Sequence, residues 1–498
     1  MKKFFYLLIS VIFCVFCTFS LSGCKNKEVD KISKKLNTYA ISAELDADKM
    51  EISGSENFTF KNTTGVTLDA LYFHLYPRAF REGAIVKPYT ALNAASCFPN
   101  GISFGDINII SVKVEGKVVR HEIVGEDDDI LKVNLGFRLK ENKTIQILIE
   151  FVITIPNSTH RFGYFDGNIN LGNWYPILCK FENGKWDTSP YYSTGDPFFS
   201  DMANYEINFK FPATFSLCST GEKKLEKNGE KITAKISAKA VRDFAMVLSS
   251  KASSVSQTVD DVEVTYVGYK TDSNLSQMLE VSKNALEFFS KSFGKYPYKT
   301  LTVAKSPFLF GGMEYPNLVI VSDATADDEE LMKVIVHEIA HQWWYGIVGN
   351  NEIKDAWLDE SLAEYSTALF FNAYPKYNIT YKEFVQSALS SYLLYVDVIE
   401  TIRGEVNTKM NLAVNEYQNE YEYSYMVYVK GVIMFDALRS AVGEKKVVAG
   451  LKKYYADNKF KIASKQDFYD AFKSACHSDL VGFFESYLNG SAIITNLN

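Results

Sequence analysis

Two histidines separated by three residues constrain this chain more than any other feature of its sequence. His337 and His341 frame Glu338, and the chain has six histidines in 498 residues. On an α-helix, residues four apart share a face, so His337 and His341 direct two imidazole nitrogens at one point. This spacing predicts a metal-binding pair on a helix, and zinc is the ion expected for it.

Two acidic residues complete the predicted site. Glu338 lies one position round the helix, where its carboxylate can reach a water molecule held by the metal, and this predicts a general base. The acidic run 327–330 predicts the start of the helix, since negative charge is favoured in a first turn. Glu360 lies near the start of the next predicted helix, over 356–371, and supplies the third protein ligand of a tetrahedral catalytic zinc site.

Three motifs, taken in order, resemble the gluzincin aminopeptidases of the aminopeptidase N type. The first joins the 337–341 segment to Glu360 after eighteen intervening residues. Upstream, 311–315 (Gly-Gly-Met-Glu-Tyr) is similar to the family's Gly-x-Met-Glu-Asn segment, with Tyr315 where the common form has Asn. Downstream, 428–431 (Tyr-Val-Lys-Gly) resembles the family's Tyr-x-Lys-Gly. The three motifs lie between residues 311 and 431, and the zinc motif is the most specific of them.

The resemblance implies roles for residues around the metal. Tyr428 would donate a hydrogen bond to the oxyanion, the alternative being one more packing tyrosine in a tyrosine-rich segment. Glu314 would bind the terminal ammonium of a substrate, with Gly311 and Gly312 letting backbone approach backbone. Glu364, one turn after the third ligand, would orient a metal ligand.

The pattern of elements predicts two domains. Over about 39–250, short alternating segments are separated by Asn, Gly, Asp and Lys turns, which favours antiparallel strands, whereas helical spacing dominates from 327 onward. With the resemblance, this predicts an α+β multidomain fold. An antiparallel β-rich domain (37–253) is followed by a thermolysin-like, mainly helical zinc catalytic domain (254–498).

The first residues predict export. Residues 1–24 read as a lipoprotein signal peptide, because two lysines precede an apolar run over 4–19 that is too short for a spanning helix. The run ends in Leu-Ser-Gly-Cys, which resembles a bacterial lipobox, so lipid on Cys24 would tether the protein to the outer face of a bacterial cell membrane. The alternative is an uncleaved signal anchor. The Lys-rich stretch 25–36 predicts a solvated tether.

Composition excludes some partners. The formal charge of -7 arises from 53 basic and 60 acidic residues without a basic stripe, so no nucleic-acid partner is expected. The widely spaced cysteines after position 24 match no disulfide framework, and we expect mostly buried thiols.

The sequence therefore predicts a zinc-dependent metallopeptidase with one zinc ion, first of all an aminopeptidase that releases amino-terminal residues from peptides by metal-activated water. The chain ends at Asn498 without the helical carboxy-terminal domain of larger family members, so we expect a more open cleft. Two alternatives stay open. One is a zinc endopeptidase or other zinc hydrolase, and the other is a surface lipoprotein binding module with a non-catalytic metal site.

Overall fold

The structure, a computed structural model, describes residues 27–495 and contains a β-rich amino-terminal domain and a helical carboxy-terminal domain. This is the α+β multidomain fold predicted from the sequence. The predicted signal peptide and the lipidation site Cys24 lie outside the described residues. Within 27–495, no helix is long and apolar enough to cross a membrane.

The amino-terminal domain consists of strands and two short helices. The helices are α1 (Lys27–Ser33) and α2 (Ala94–Cys97). The strands are β1 (Thr38–Asp46), β2 (Glu51–Lys61), β3 (Leu68–His74), β4 (Asp106–Val114), β5 (Lys117–Val118), β6 (His121–Val124), β7 (Ile130–Leu139), β8 (Thr144–Thr154), β9 (Phe162–Phe165), β10 (Asn168–Leu171), β11 (Ile177–Leu178), β12 (Phe181–Glu182), β13 (Lys185–Trp186), β14 (Ala203–Pro212), β15 (Ser216–Ser219), β16 (Glu222–Asn228), β17 (Lys231–Val241) and β18 (Met246–Ser249).

An eight-stranded sheet, in the order β16-β17-β14-β1-β2-β8-β4-β5, forms the largest layer of this domain. Its neighbouring strands are antiparallel except for β1 and β14, which pair in parallel. Along β14, Tyr205, Ile207 and Phe209 are buried while the polar residues between them are exposed, because successive side chains point to opposite faces of a sheet. Two four-stranded sheets, β15-β18-β10-β9 and β11-β3-β7-β6, complete the fold together with the β12-β13 hairpin.

The stretch predicted as a solvated tether is partly folded. Over Lys27–Ser33 it forms α1, which packs against β17 with Val29 buried. Asp30 pairs with Lys239 at 3.0 Å, and Glu28 pairs with Lys459 at 2.7 Å. The prediction of a tether is therefore wrong for the described part of 25–36. The apolar side chain of Val29 is enough to dock this short helix. The Lys-rich composition of the stretch hides that signal in the sequence.

The cysteines of the described chain are free and buried, as predicted from their spacing. They are Cys97, Cys179, Cys218 and Cys476. Burial raises the pKa of the Cys97 thiol to about 11, so this thiol stays protonated and unreactive at neutral pH.

The carboxy-terminal domain starts with a sheet and continues with helices. Its strands are β19 (Ala252–Val259), β20 (Val262–Tyr269), β21 (Thr300–Ser306), β22 (Gly312–Met313), β23 (Leu318–Ser322), β24 (Val348–Gly349) and β25 (Lys461–Ile462). Its helices are α3 (Leu275–Ser292), α4 (Asp328–Ala340), α5 (Glu352–Asp355), α6 (Trp357–Ala373), α7 (Tyr381–Arg403), α8 (Glu420–Ser424), α9 (Lys430–Val442), α10 (Glu444–Asn458), α11 (Lys465–Cys476) and α12 (Val481–Leu488).

Two features of this domain position the site. The sheet order β19-β20-β21-β23-β22 leaves β22 as an edge strand, and α4 packs against both β22 and β23. Asp327 caps α4 by accepting the Glu330 backbone N–H at 2.9 Å, which satisfies one of the free donors of the first turn. Helix α6 packs along α4, so the edge strand and both helices meet at one place.

The amino-terminal domain also holds the turn that follows α4. Arg242, just after β17, donates to the backbone carbonyls of Tyr345 and Ser200 at 2.9 Å and of Lys461 at 3.2 Å. Tyr345 has φ 124°, an unfavourable backbone angle for a residue with a side chain, and its hydroxyl donates to Asp243. A strained turn next to the metal-binding helix is thus fixed by two buried charged residues of the other domain.

Candidate active site

The predicted metal ligands meet at one point between α4 and α6. His337 lies in the last turn of α4, His341 follows its end, and Glu360 lies in the first turn of α6. His337 Nε2, His341 Nε2 and Glu360 Oε2 form a triangle in which each pair of atoms is 3.1 Å apart. Within residues 27–495, these side chains form the group that could hold a metal ion, and we refer to them as the ligand triad.

The ligand triad fits a tetrahedral zinc ion. With bonds of about 2.0–2.1 Å, tetrahedral zinc places its ligand atoms about 3.3 Å apart, close to the spacing of the triad. His337 Nδ1 contacts Glu364 Oε2 at 2.7 Å, and His341 Nδ1 donates to the Trp344 carbonyl at 2.9 Å. Because a neutral imidazole carries one proton, a proton on each Nδ1 leaves both Nε2 lone pairs directed into the triad.

The charges of the site also favour a cation. Burial raises the pKa of Glu360, but His341 and His337 lower it by more, and the net pKa lies below the usual range. Burial lowers the pKa of His341, yet the carboxylates of Glu360 and Glu314 raise it to about 10. The site therefore keeps Glu360 ionised and attracts positive charge, which a divalent ion supplies in place of imidazole protons.

Glu338 is buried next to the triad, and its Oε2 has no hydrogen-bond partner within the described residues. Burial raises the pKa of Glu338 to about 7, against the lowering effect of the two histidines. A general base works best with a pKa near the working pH, because it must both accept and release a proton. The position and the pKa of Glu338 thus suit a base.

A glycine of the edge strand makes room for this base. A Cβ on Gly312 would lie 2.4 Å from Glu338 Oε1 and 2.5 Å from its Cδ, far inside normal contact distance. A Cβ on Gly311 would meet Val334 at 3.7 Å, an ordinary contact. Gly312 therefore seats Glu338, a role that the sequence did not indicate.

Tyr428 reaches the triad from a π-helical turn, Tyr425–Val429, just before α9. Its hydroxyl donates to Glu360 Oε1, and its ring stacks on His337 with centroids 5.7 Å apart and planes at 18°. Burial, and then the Glu360 carboxylate, raises the pKa of Tyr428 well above its usual range. The phenol therefore stays protonated and available as a donor beside the metal ligands.

Two buried carboxylates, one from each domain, lie near the triad. Burial, and then repulsion from Asp196, raises the pKa of Glu314 well above its usual range. Asp196 pairs with the buried guanidinium of Arg161, whose Nε lies 3.1 Å from Met313 Sδ, the residue before Glu314. No site role was predicted from the sequence for Asp196 or Arg161, because neither belongs to a periodic or metal-ligand pattern.

Tyr315 takes part in the domain interface. It is fully buried, and its hydroxyl donates to Asn173 Oδ1 in the amino-terminal domain at 2.8 Å. A Cβ on Gly172 would lie 2.0 Å from the Tyr315 hydroxyl, so the bare backbone of Gly172 admits the ring. The residue that departs from the common family motif thus joins the two domains.

Comparison with known proteins connects this geometry to a family. Residues 277–487 match the model of the Peptidase family M1 domain. The carboxy-terminal part of this chain is therefore similar to the domain of peptidase family M1. The matched M1 region contains the ligand triad, Glu314, Glu338 and Tyr428.

The chain is also similar to proteins of known name. Aminopeptidase N of Lactobacillus helveticus is 26% identical over 406 residues, which cover 77% of this chain and 46% of that protein. Aminopeptidase N of Lactobacillus delbrueckii subsp. lactis is 27% identical over 235 residues, 44% of this chain and 27% of that protein. The chain thus matches less than half the length of these relatives.

A solved structure has the same fold. The M1 zinc metallopeptidase from Deinococcus radiodurans superposes with a TM-score of 0.63 at 15% identity, over 92% of this chain and 94% of that chain. Both domains are therefore included in the likeness, which agrees with the predicted order of a β-rich domain before a helical one.

Substitutions at the triad and at the base should separate metal binding from turnover. We expect Glu360→Ala to bind well below one zinc per chain, because two imidazoles do not complete the site. We expect Glu338→Gln to keep one zinc per chain and to lose peptide hydrolysis, because an amide cannot accept the proton. Elemental analysis after dialysis and a peptide hydrolysis assay measure the two effects. Full zinc content in Glu360→Ala would exclude that ligand, and near-native turnover in Glu338→Gln would exclude that base.

Two glycines should differ sharply in their tolerance of alanine. Gly312→Ala should lower hydrolysis about 10²-fold, since its methyl group displaces the Glu338 carboxylate. Gly482→Ala, in α12, is the control and should stay within about twofold of the wild type, because an added Cβ there has no atom within 4 Å. Steady-state kinetics on zinc-loaded proteins measures both. Equal activity of the two variants would contradict the seating role of Gly312.

Proposed function

We propose that this chain is a zinc aminopeptidase that releases the amino-terminal residue of peptides. The observation that carries the proposal is the buried Glu314 carboxylate beside the triad and the base. Glu314 is close enough to interact electrostatically with His341, Glu338 and Glu360. A substrate ammonium paired with Glu314 would therefore hold the first peptide bond next to Glu338. The names of the Lactobacillus relatives support the same activity.

Each residue of the site has its own role in the proposed hydrolysis. The ligand triad would hold the zinc ion, which would supply Lewis acidity to the scissile carbonyl and lower the pKa of a water molecule. Glu338 accepts a proton from the attacking water and delivers it to the leaving amine nitrogen as the C–N bond breaks, which regenerates the base. With substrate bound, the Tyr428 hydroxyl would donate its hydrogen bond to the former carbonyl oxygen instead of to Glu360 Oε1, and loss of one such donor typically slows a hydrolase about 10²–10³-fold.

The charge around Glu314 supports recognition of an amine. Asp196 adds a second carboxylate near Glu314, and Arg161 pairs with Asp196 from the side of the amino-terminal domain. A buried carboxylate without a counter-ion is costly, and an ammonium group removes that cost. An acetylated amino terminus carries no charge, so it cannot form an ion pair with Glu314.

One peptide with a free and with an acetylated amino terminus tests the proposal. The purified zinc-loaded protein should release the first residue of the free peptide and leave the acetylated peptide intact. Glu314→Gln should lower kcat/KM for the free peptide about 10²-fold, since a charged pair is lost in a buried site. Glu329→Gln, an exposed carboxylate at the start of α4, is the matched control and should retain activity. Mass spectrometry of the products and initial rates give both results.

The other outcomes discriminate between the alternatives. Internal cleavage of both peptides would keep the roles of Glu338 and the triad but replace the aminopeptidase with an endopeptidase. Cleavage of neither peptide by protein that contains zinc would favour a binding protein with a non-catalytic metal site.

We also propose that the protein is exported and held by lipid on Cys24 at the outer face of a bacterial cell membrane. The two lysines before the apolar run 4–19 and the Leu-Ser-Gly-Cys ending at Cys24 support this proposal.

Labelling with a fatty acid tests the anchor. Cells that express the wild-type chain should incorporate an alkyne-tagged fatty acid into the protein, and Cys24→Ser should abolish the label. Cys97→Ser, at a buried thiol, is the control and should keep the label. Label retained in Cys24→Ser, or absent from the wild type, would rule out lipid on Cys24.

A further inference from the structure

The turn that carries Tyr428 differs from the helices around it. Over Tyr425–Val429 the backbone is π-helical, and the Lys430 N–H donates to the carbonyl of Tyr425, five residues earlier. A π-helical turn inserts one residue relative to an α-helix and rotates the side chains within it, and such turns are frequent at functional sites. The direction of Tyr428 therefore depends on whatever holds this turn in its π form.

Ser361 makes a hydrogen bond to this turn. Its hydroxyl donates to the Val427 carbonyl at 2.5 Å, and Ser361 is fully buried. Ser361 is also the residue after Glu360, so one residue of α6 binds the metal and the next binds the tyrosine turn. The bond links α6 to the segment that leads into α9.

Gly431 makes this approach possible. A Cβ on Gly431 would lie 2.3 Å from Ser361 Oγ and 2.5 Å from Ser361 Cβ. The glycine of the 428–431 motif thus admits the serine that follows the third metal ligand. Two motifs separated along the chain fit together at a single contact between helices.

We propose that Ser361 is a positioning residue for Tyr428. By donating to the Val427 carbonyl, it holds the π-helical turn against α6, so that the Tyr428 phenol lies against Glu360 Oε1 and over the His337 ring. The effect of Ser361 on turnover passes through the Tyr428 hydroxyl. This inference rests on the proposed hydrolysis, in which that hydroxyl donates to the developing oxyanion.

A second buried hydroxyl on the same helix provides a control. Thr367 Oγ1 donates to the Ala363 carbonyl at 2.9 Å, within α6 itself, and Thr367 is buried. Thr367→Val removes a buried hydroxyl from α6 without touching the tyrosine turn. A general weakening of α6 would affect both variants, whereas a positioning role affects Ser361→Ala alone.

A double-mutant cycle on the zinc-loaded full chain tests the proposal. Ser361→Ala should lower kcat about 10-fold to 10²-fold with little change in KM, because the donor is displaced but the amine site is intact. Tyr428→Phe should lower kcat about 10²–10³-fold. The double variant should match Tyr428→Phe within about twofold, because Ser361 has no effect once the hydroxyl is gone. Thr367→Val should keep the wild-type kcat.

Binding of a phosphinic dipeptide, whose tetrahedral oxyanion resembles the transition state, provides a second readout by calorimetry. Ser361→Ala should weaken this binding, and its effect should vanish in the Tyr428→Phe background, with one zinc per chain in every variant. Equal losses from Ser361→Ala in both backgrounds, or none in either, would overturn the positioning role. Wild-type protein that binds zinc and the phosphinate yet cleaves no peptide would overturn the proposed function, while the binding cycle would still decide the role of Ser361.

Discussion

Two imidazole nitrogens and a carboxylate oxygen lie 3.1 Å from one another at the centre of the carboxy-terminal domain. Lone pairs on three such atoms repel at this distance, and a cation between them converts the repulsion into attraction. One of the atoms comes from α4, one from the residue that caps its end and one from α6, so coordination of an ion would tie these two helices together. The edge strand β22 and the π-helical turn then fit around that pair of helices.

The same centre contains more carboxyl groups than a protein interior normally accommodates in ionised form. Glu314, Glu338 and Asp196 are buried within electrostatic range of the third ligand, and burial raises the pKa of each. Arg161 compensates one of them through its ion pair. Two positive charges, the metal ion and a substrate ammonium, would compensate the rest, which connects the stability of the site to its occupation. The proposed selectivity for an amine would follow from this cluster of carboxyl groups.

The sequence predicts the site well wherever the relevant geometry is local. His337 and His341 are recognisable because the pitch of a helix fixes their relation, and Glu360 because it begins the next helix. Asp196 could not be found in this way, since its approach to the triad depends on how a distant loop packs between domains. The role of Ser361 was equally hidden, because a serine inside a helix usually bonds to its own helix and nothing local signals a bond to another. The resemblance to a family supplied Tyr428, but not the π-helical turn that aims it.

Arg242 and Asp243 make the carboxy-terminal domain depend on the amino-terminal domain. Both belong to the amino-terminal domain, and both hold Tyr345, whose strained backbone follows the metal-binding helix. A catalytic segment separated from its β-rich partner would lose the groups that keep this turn in place. The metal-binding helix of the catalytic half therefore relies on its β-rich partner, and we expect the catalytic half expressed alone to bind the metal ion less tightly than the full chain.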